Sequence, residues 1–178
     1  MMLALAVMPL ALAAQDRYGT RAGNISFFSE TPVENIEAHN NKVSSVWDAA
    51  SGAMEFAVLI KSFECEKALM QEHFNENYME SNTHPKATFK GKMEGVTADQ
   101  LRTPGTYDVK VAGDLTIHGV TKQVVHPGKI TVGEDGKVRA TSEFIVVPED
   151  HAITIPGVVR DNIAKEITVK VDMDYSKL

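Results

Sequence analysis

The stretch YDVKVAGDLTIHGVTK, Tyr107 to Lys122, decides the fold. Read in steps of two, Tyr107, Val109, Val111, Gly113, Leu115 and Ile117 fall on one side, and Asp108, Lys110, Ala112, Asp114, Thr116 and His118 on the other. Successive side chains of an extended chain point to opposite faces, so this alternation predicts a half-buried strand with the first set inward. Gly119 then marks a bend, because a residue without a side chain reaches backbone conformations closed to others.

The same period recurs outward in both directions. Ile167, Val169, Val171, Met173 and Tyr175 alternate with Thr168, Lys170, Asp172 and Asp174. Two further runs, Val124 to Val132 and Lys137 to Val147, flank Gly133-Glu134-Asp135-Gly136, and the Asp-Gly pair predicts a hairpin. In the first half, Met54, Phe56, Val58 and Ile60 form one face and Glu55, Ala57, Leu59 and Lys61 the other; Ala87, Phe89, Gly91 and Met93 alternate with Thr88, Lys90 and Lys92. Asn24 to Ser29 and Val43 to Asp48 are weaker strands, which brings the count to about eight.

One segment follows a different period. In residues 64–81, ECEKALMQEHFNENYMES, Leu69, Met70, Phe74 and Tyr78 recur at helical spacing against Glu66, Gln71, Glu72 and Glu76. This predicts a short amphipathic helix whose apolar stripe packs on the sheet or over a barrel end. Pro85 ends it. The class is all-β and antiparallel, a closed barrel or a sandwich with one short helix between strands.

With 178 residues and Lys+Arg 18 against Asp+Glu 24, the chain has the size of one domain and a formal charge of -6. Its basic residues are scattered, which argues against nucleic-acid binding. The opening MMLALAVMPLALAAQ reads as a secretory leader, residues 1–13 with cleavage after Ala13 or Ala14, too short to span a bilayer. The mature domain would be residues 14–178, periplasmic or secreted, with no integral membrane span. The single cysteine, Cys65, excludes an internal disulfide and reads as a small hydrophobe.

Catalytic motifs are missing from the local sequence. The six histidines, His39, His73, His84, His118, His126 and His151, form no metal-ligand spacing, so no metal and no cofactor is expected from them unless distant ones converge. There is no Gly-x-Ser-x-Gly elbow and no Gly-rich phosphate loop. His118, on the polar side of its strand and next to Gly119, is expected to hydrogen-bond backbone groups freed in the turn between Ile117 and Val124.

GDLTIHGVTK, Gly113 to Lys122, resembles the hallmark strand of the YceI-like family of exported bacterial proteins, matching through Lys122 and departing at Gln123, where proline is usual. HFNENYMESNTHPKATFKGKM, residues 73–93, resembles that family's helix, His-Pro step and following strand. The resemblance runs from about Gly23 to Tyr175, with EFIVVPEDHAITIP, residues 143–156, departing from the usual segment.

It implies an eight-stranded antiparallel, lipocalin-like barrel whose hydrophobic tunnel holds an isoprenoid or other long-chain lipid, with no catalytic residue. A homodimer is compatible with this reading. The inward sets then supply the tunnel lining: Ile25 and Phe27; Phe56, Val58 and Ile60; Phe89; Val109, Val111, Leu115 and Ile117; Phe144; and Val169 and Val171. Two other classes compete: an enzyme or metal-dependent protein using convergent histidines, and a structural or stress-response barrel with a filled core.

Overall fold

The structure is a computed structural model that describes residues 16–178. The leader and its cleavage point lie outside the described residues. The strands are β1 (Arg17–Glu30), β2 (Asn35–Asp48), β3 (Ala53–Leu59), β4 (Glu64–Cys65), β5 (Lys86–Glu94), β6 (Gly105–Ile117), β7 (Val120–Val132), β8 (Val138–Val146) and β9 (Ile167–Lys177). Every pairing is antiparallel, and β1 pairs with both β2 and β9, so the meander closes on itself. Closure joins eight strands in a ring, although β7 and β8 pair with each other only over Lys129–Val132 and Val138–Thr141 and separate beyond them.

The two-residue β4 is an addition to that circuit. β3 pairs only with Ser44–Trp47 of β2, and β4 covers β2 further along, opposite Ala38 and His39. β1 and β2 are longer than the runs Asn24–Ser29 and Val43–Asp48 suggested, because each run recruits the first half of the other strand, Arg17–Gly23 pairing with Val43–Asp48 and Asn35–Asn40 with Ile25–Glu30, and bulges around Gly23 interrupt the apolar alternation between them.

Turn chemistry fixes the register. Asp48 Oδ1 accepts from the Ala50 and Ser51 N–H groups at 3.0 and 3.2 Å, closing the β2–β3 turn. His118 and Gly119 both have positive φ, 51° and 73°, the pattern of a two-residue turn whose twist matches the strands it joins. In β5 and β6, Gly91 and Gly113 face each other, and a Cβ at Gly91 would lie 2.2 Å from the Ala112 carbonyl oxygen. Neither position has room for a side chain.

The barrel is filled at one end. Trp47, Ile130, Met173 and Val43 are almost wholly buried, with Tyr18 and Tyr175 rings 5.4 and 6.0 Å from Trp47. Tyr175 shares a 2.6 Å hydrogen bond with Ser45, and burial, against the lowering effect of that bond, pushes its phenol up to about 12. Each large apolar side chain so buried contributes about 1.5–3 kcal/mol. The other half of the interior is hollow.

Helix α1 spans Ala68–His73 and runs into a wider turn over Phe74–Tyr78. The Met79 N–H donates to the Phe74 carbonyl, five residues back, which shifts the phase of the helical face. Leu69, expected on the apolar stripe, lies in the regular turn one residue, about 100°, from the inward Met70, and is 62% exposed. Gln71, expected in solvent, turns inward: its amide nitrogen donates to the Phe63 carbonyl and its oxygen accepts from the Cys65 N–H at 2.6 Å. Among the described residues no helix is long and apolar enough to cross a membrane.

Candidate functional site

The hollow half contains two adjoining cavities of about 200 and 110 Å³. Ile25, Val58, Ala87, Leu115 and Phe144 line both, so they are an outer and an inner lobe of one interior. All thirteen residues expected to line a tunnel border it. Phe27, Ile60, Ile117 and Val169 face the outer lobe. Phe56, Phe89, Val109, Val111 and Val171 face the inner one. Ile25, Val58, Leu115 and Phe144 are shared. Ile60 arrives there by a different route from the one its alternation suggested: β3 ends at Leu59, and Ile60 opens a short 3-10 turn whose N–H donates to the Pro85 carbonyl.

Strand periodicity missed the roof of the outer lobe. Met70, Phe74, Tyr78 and Met79 come from the helical cap, Phe63 from the chain just before β4, and Pro148, Ile153, Ile155 and Ile163 from the segment between β8 and β9. The rings of Phe27, Phe63 and Phe74 form a triangle with centroids 5.1–5.6 Å apart, joining cap to barrel wall. Only the helical spacing of Met70, Phe74 and Tyr78 hinted at this. Cys65 also borders the lobe, where burial pushes its thiol up and keeps it protonated.

Polar contacts anchor both roof segments. Ser29 Oγ accepts from the Ala164 N–H at 2.8 Å. Glu34, in the β1–β2 loop, accepts from the Asn162 amide at 3.2 Å and from Lys67 at 3.1 Å, and these partners hold its carboxyl below the ordinary range. One carboxylate thus ties the helical cap and the β8–β9 segment to the same loop.

On the opposite side, His118 contradicts its expected partner. Its Nδ1 lies 3.2 Å from the His151 carbonyl, not against its own turn, and it is His151 whose Nδ1 meets the turn at the Val120 carbonyl, 3.1 Å away. The chain between β8 and β9 carries the missing partner, so strand parity alone could not identify it. His118 Nε2 is 2.7 Å from Glu80 Oε2, with His84 alongside. Two of the dispersed histidines do converge, although no local spacing announces it.

In the inner lobe, Val124, His126 and Gly128 face inward from β7. His126 is the histidine that borders the cavity, and burial pushes its imidazole below the ordinary histidine range.

A family model described as YceI-like domain matches residues 19–175. Solved structures share the fold. A polyisoprenoid-binding domain from Saccharophagus degradans, implicated in plant cell wall breakdown, is 13% identical with a TM-score of 0.77, over 92% of this chain and 99% of that one. Burkholderia cenocepacia BcnA is 18% identical with a TM-score of 0.69, over 87% and 96%. The Campylobacter jejuni YCEI protein is 16% identical with a TM-score of 0.57, over 100% and 94%. Among curated proteins, no sequence matches this chain.

Proposed function

This chain belongs to the YceI-like family, and from that premise we propose that it binds an isoprenoid or similar long-chain lipid in the two-lobed cavity, without catalysing a reaction on it. One observation carries the reading: an apolar lining continues from the roof residues Phe74 and Ile153 through the shared Leu115 and Phe144 to Val111 deep in the inner lobe. A long alkyl or prenyl chain gains about 0.8 kcal/mol for each CH₂ it buries, so such a space holds a lipid with few polar contacts. Selection is then by length and girth. The polyisoprenoid-binding domain among the structural neighbours supports the ligand class.

The leader motif supports a location in the bacterial envelope, periplasmic or secreted, where the protein holds or transports the lipid. Extraction of the purified native protein with organic solvent, followed by mass spectrometry, tests the binding. The expected result is about one lipid of defined chain length per protein. An extract free of lipid, from protein that also takes up none from added polyprenol, would leave a ligand-free barrel. Fractionation of the source cells tests the location.

A further inference from the structure

Glu80, His84 and His118 meet where the chain leaving the helical cap passes the β6–β7 turn. One ligand atom from each lies within 4.8 Å of the others. The two imidazole centroids are 4.5 Å apart, with planes at 59°. A side chain on Gly119 would not tolerate this approach, since its Cβ would fall 2.9 Å from His84 Cε1.

The hydrogen bonds orient His118 as a ligand. The His151 carbonyl only accepts, so the His118 Nδ1 beside it carries the hydrogen. In the neutral ring Nε2 then presents a lone pair toward Glu80 Oε2, at 2.7 Å. Two acceptors so close repel unless a cation, a proton or a metal ion, lies between them. A ring whose second nitrogen donates to a backbone carbonyl is also the usual arrangement of a metal-bound histidine.

Backbone strain gathers in the same corner. Among the described residues the non-glycine positive φ angles are at Glu80, His118 and Ala152, 45°, 51° and 56°. Two are members of the cluster, and the third follows the residue whose carbonyl holds His118. Strained backbone of this kind concentrates at functional sites.

We propose that Glu80, His84 and His118 form a binding site for a divalent transition-metal ion of the zinc class. Two imidazole nitrogens and one carboxylate oxygen suit zinc, with a water completing the tetrahedron at the solvent-exposed Glu80 side. Zinc bonds of about 2.0–2.1 Å hold ligand atoms roughly 3.3 Å apart, so the exposed Glu80 carboxylate draws back from His118 by about 0.6 Å to admit the ion, and the half-buried His84 closes on it by at most about 1.5 Å. Met79 and Ile117, the chain neighbours of Glu80 and His118, line the outer lobe. A bound ion therefore ties the cap to the barrel wall.

The test uses the full, tag-free chain, stripped with a chelator and titrated with cobalt(II) chloride and zinc(II) chloride. Expected are visible cobalt bands saturating at one ion per chain, their displacement by zinc, and a higher unfolding temperature with zinc. Glu80→Gln and His84→Gln, verified as folded by circular dichroism, should each weaken binding about ten-fold or more and abolish the thermal shift. Absence of cobalt bands and of zinc uptake in the parent would mean that a proton bridges His118 and Glu80, and the site would be rejected. Undiminished binding in both folded variants would place the metal elsewhere and reject it equally.

Discussion

The imidazole of His126 lies flat on the ring of Phe144, centroids 4.0 Å apart and planes 13° from parallel. His126 stands directly across from Val111, and Phe144 borders both lobes. The buried Nε2 of His126 has no hydrogen-bond partner among the described residues. A neutral, stacked imidazole is nearly an apolar wall with one polar atom, which lets the inner lobe accept a hydrocarbon chain and still offer a hydrogen bond to a polar end group.

Its protonation should leave a signature in stability. Burial holds the folded-state pKa of His126 below the unfolded value of about 6.5, so between the two the unfolded chain binds more protons. Stability from this group is present above pH about 6.5 and is lost as pH falls toward the folded value. His126→Phe keeps the stack and removes the proton. Unfolding midpoints from pH 5 to 8 should show the parent losing ground to the variant as pH drops, with a constant difference above pH about 7; parallel profiles would show a solvated imidazole.

A second test separates the turn at His118 from its hydrogen bonds. His118→Asn creates an Asn-Gly turn, the pair most favoured where both φ angles are positive, so the backbone geometry is retained. The bond to the His151 carbonyl is lost. Denaturant unfolding in a chelator should show a loss of about 1–3 kcal/mol with bound lipid retained. An unchanged midpoint would assign the stabilisation to the turn alone.

The facing glycines of β5 and β6 make a sharper steric prediction. The Cβ added by Gly91→Ala would meet the Ala112 carbonyl at 2.2 Å and the Phe89 ring at 2.6 Å. The ring can swing but the backbone cannot, so the sheet must deform. The variant should lose about 1–3 kcal/mol or fail to accumulate folded. Gly157→Ala, which meets nothing within 4 Å, is the control.

The barrel wall was legible because a strand has only two sides. Once Val109 and Leu115 are inward, their neighbours Lys110 and Thr116 must be outward, and pairing carries that choice from β6 to β5 and β7. The roof had no such constraint. A hydrogen bond from Met79 to Phe74, five residues back, breaks the 3.6 period after the helix, and within the helix Gln71 is drawn inward by the Phe63 and Cys65 backbone while Leu69 faces out. Ile153 and Ile163 sit in irregular chain whose facing is set by anchors such as Ser29 to Ala164. The meeting of Glu80 with His118, 38 residues apart, likewise exists only after closure of the fold.

The cavity itself is tested by filling it. Val111 faces the inner lobe between Met93 of β5 and His126 of β7. If lipid occupies that lobe, Val111→Trp places an indole where the chain end lies, and co-purified lipid should fall several-fold while the protein still folds. A packed core would respond differently, with an overpacking cost of about 1–3 kcal/mol and no ligand to lose. Lys110→Ala is the outward control; its contact with Glu94, 3.6 Å across an exposed face, is worth about 0–1 kcal/mol. The measurements are lipid per protein and unfolding midpoint on the same preparations. Because the lobe already holds about 110 Å³ of open space, the expected pair of results is reduced lipid with a midpoint close to that of the emptied parent. Strong destabilisation of Val111→Trp, in a parent with no extractable lipid, would establish a filled barrel and exclude the carrier.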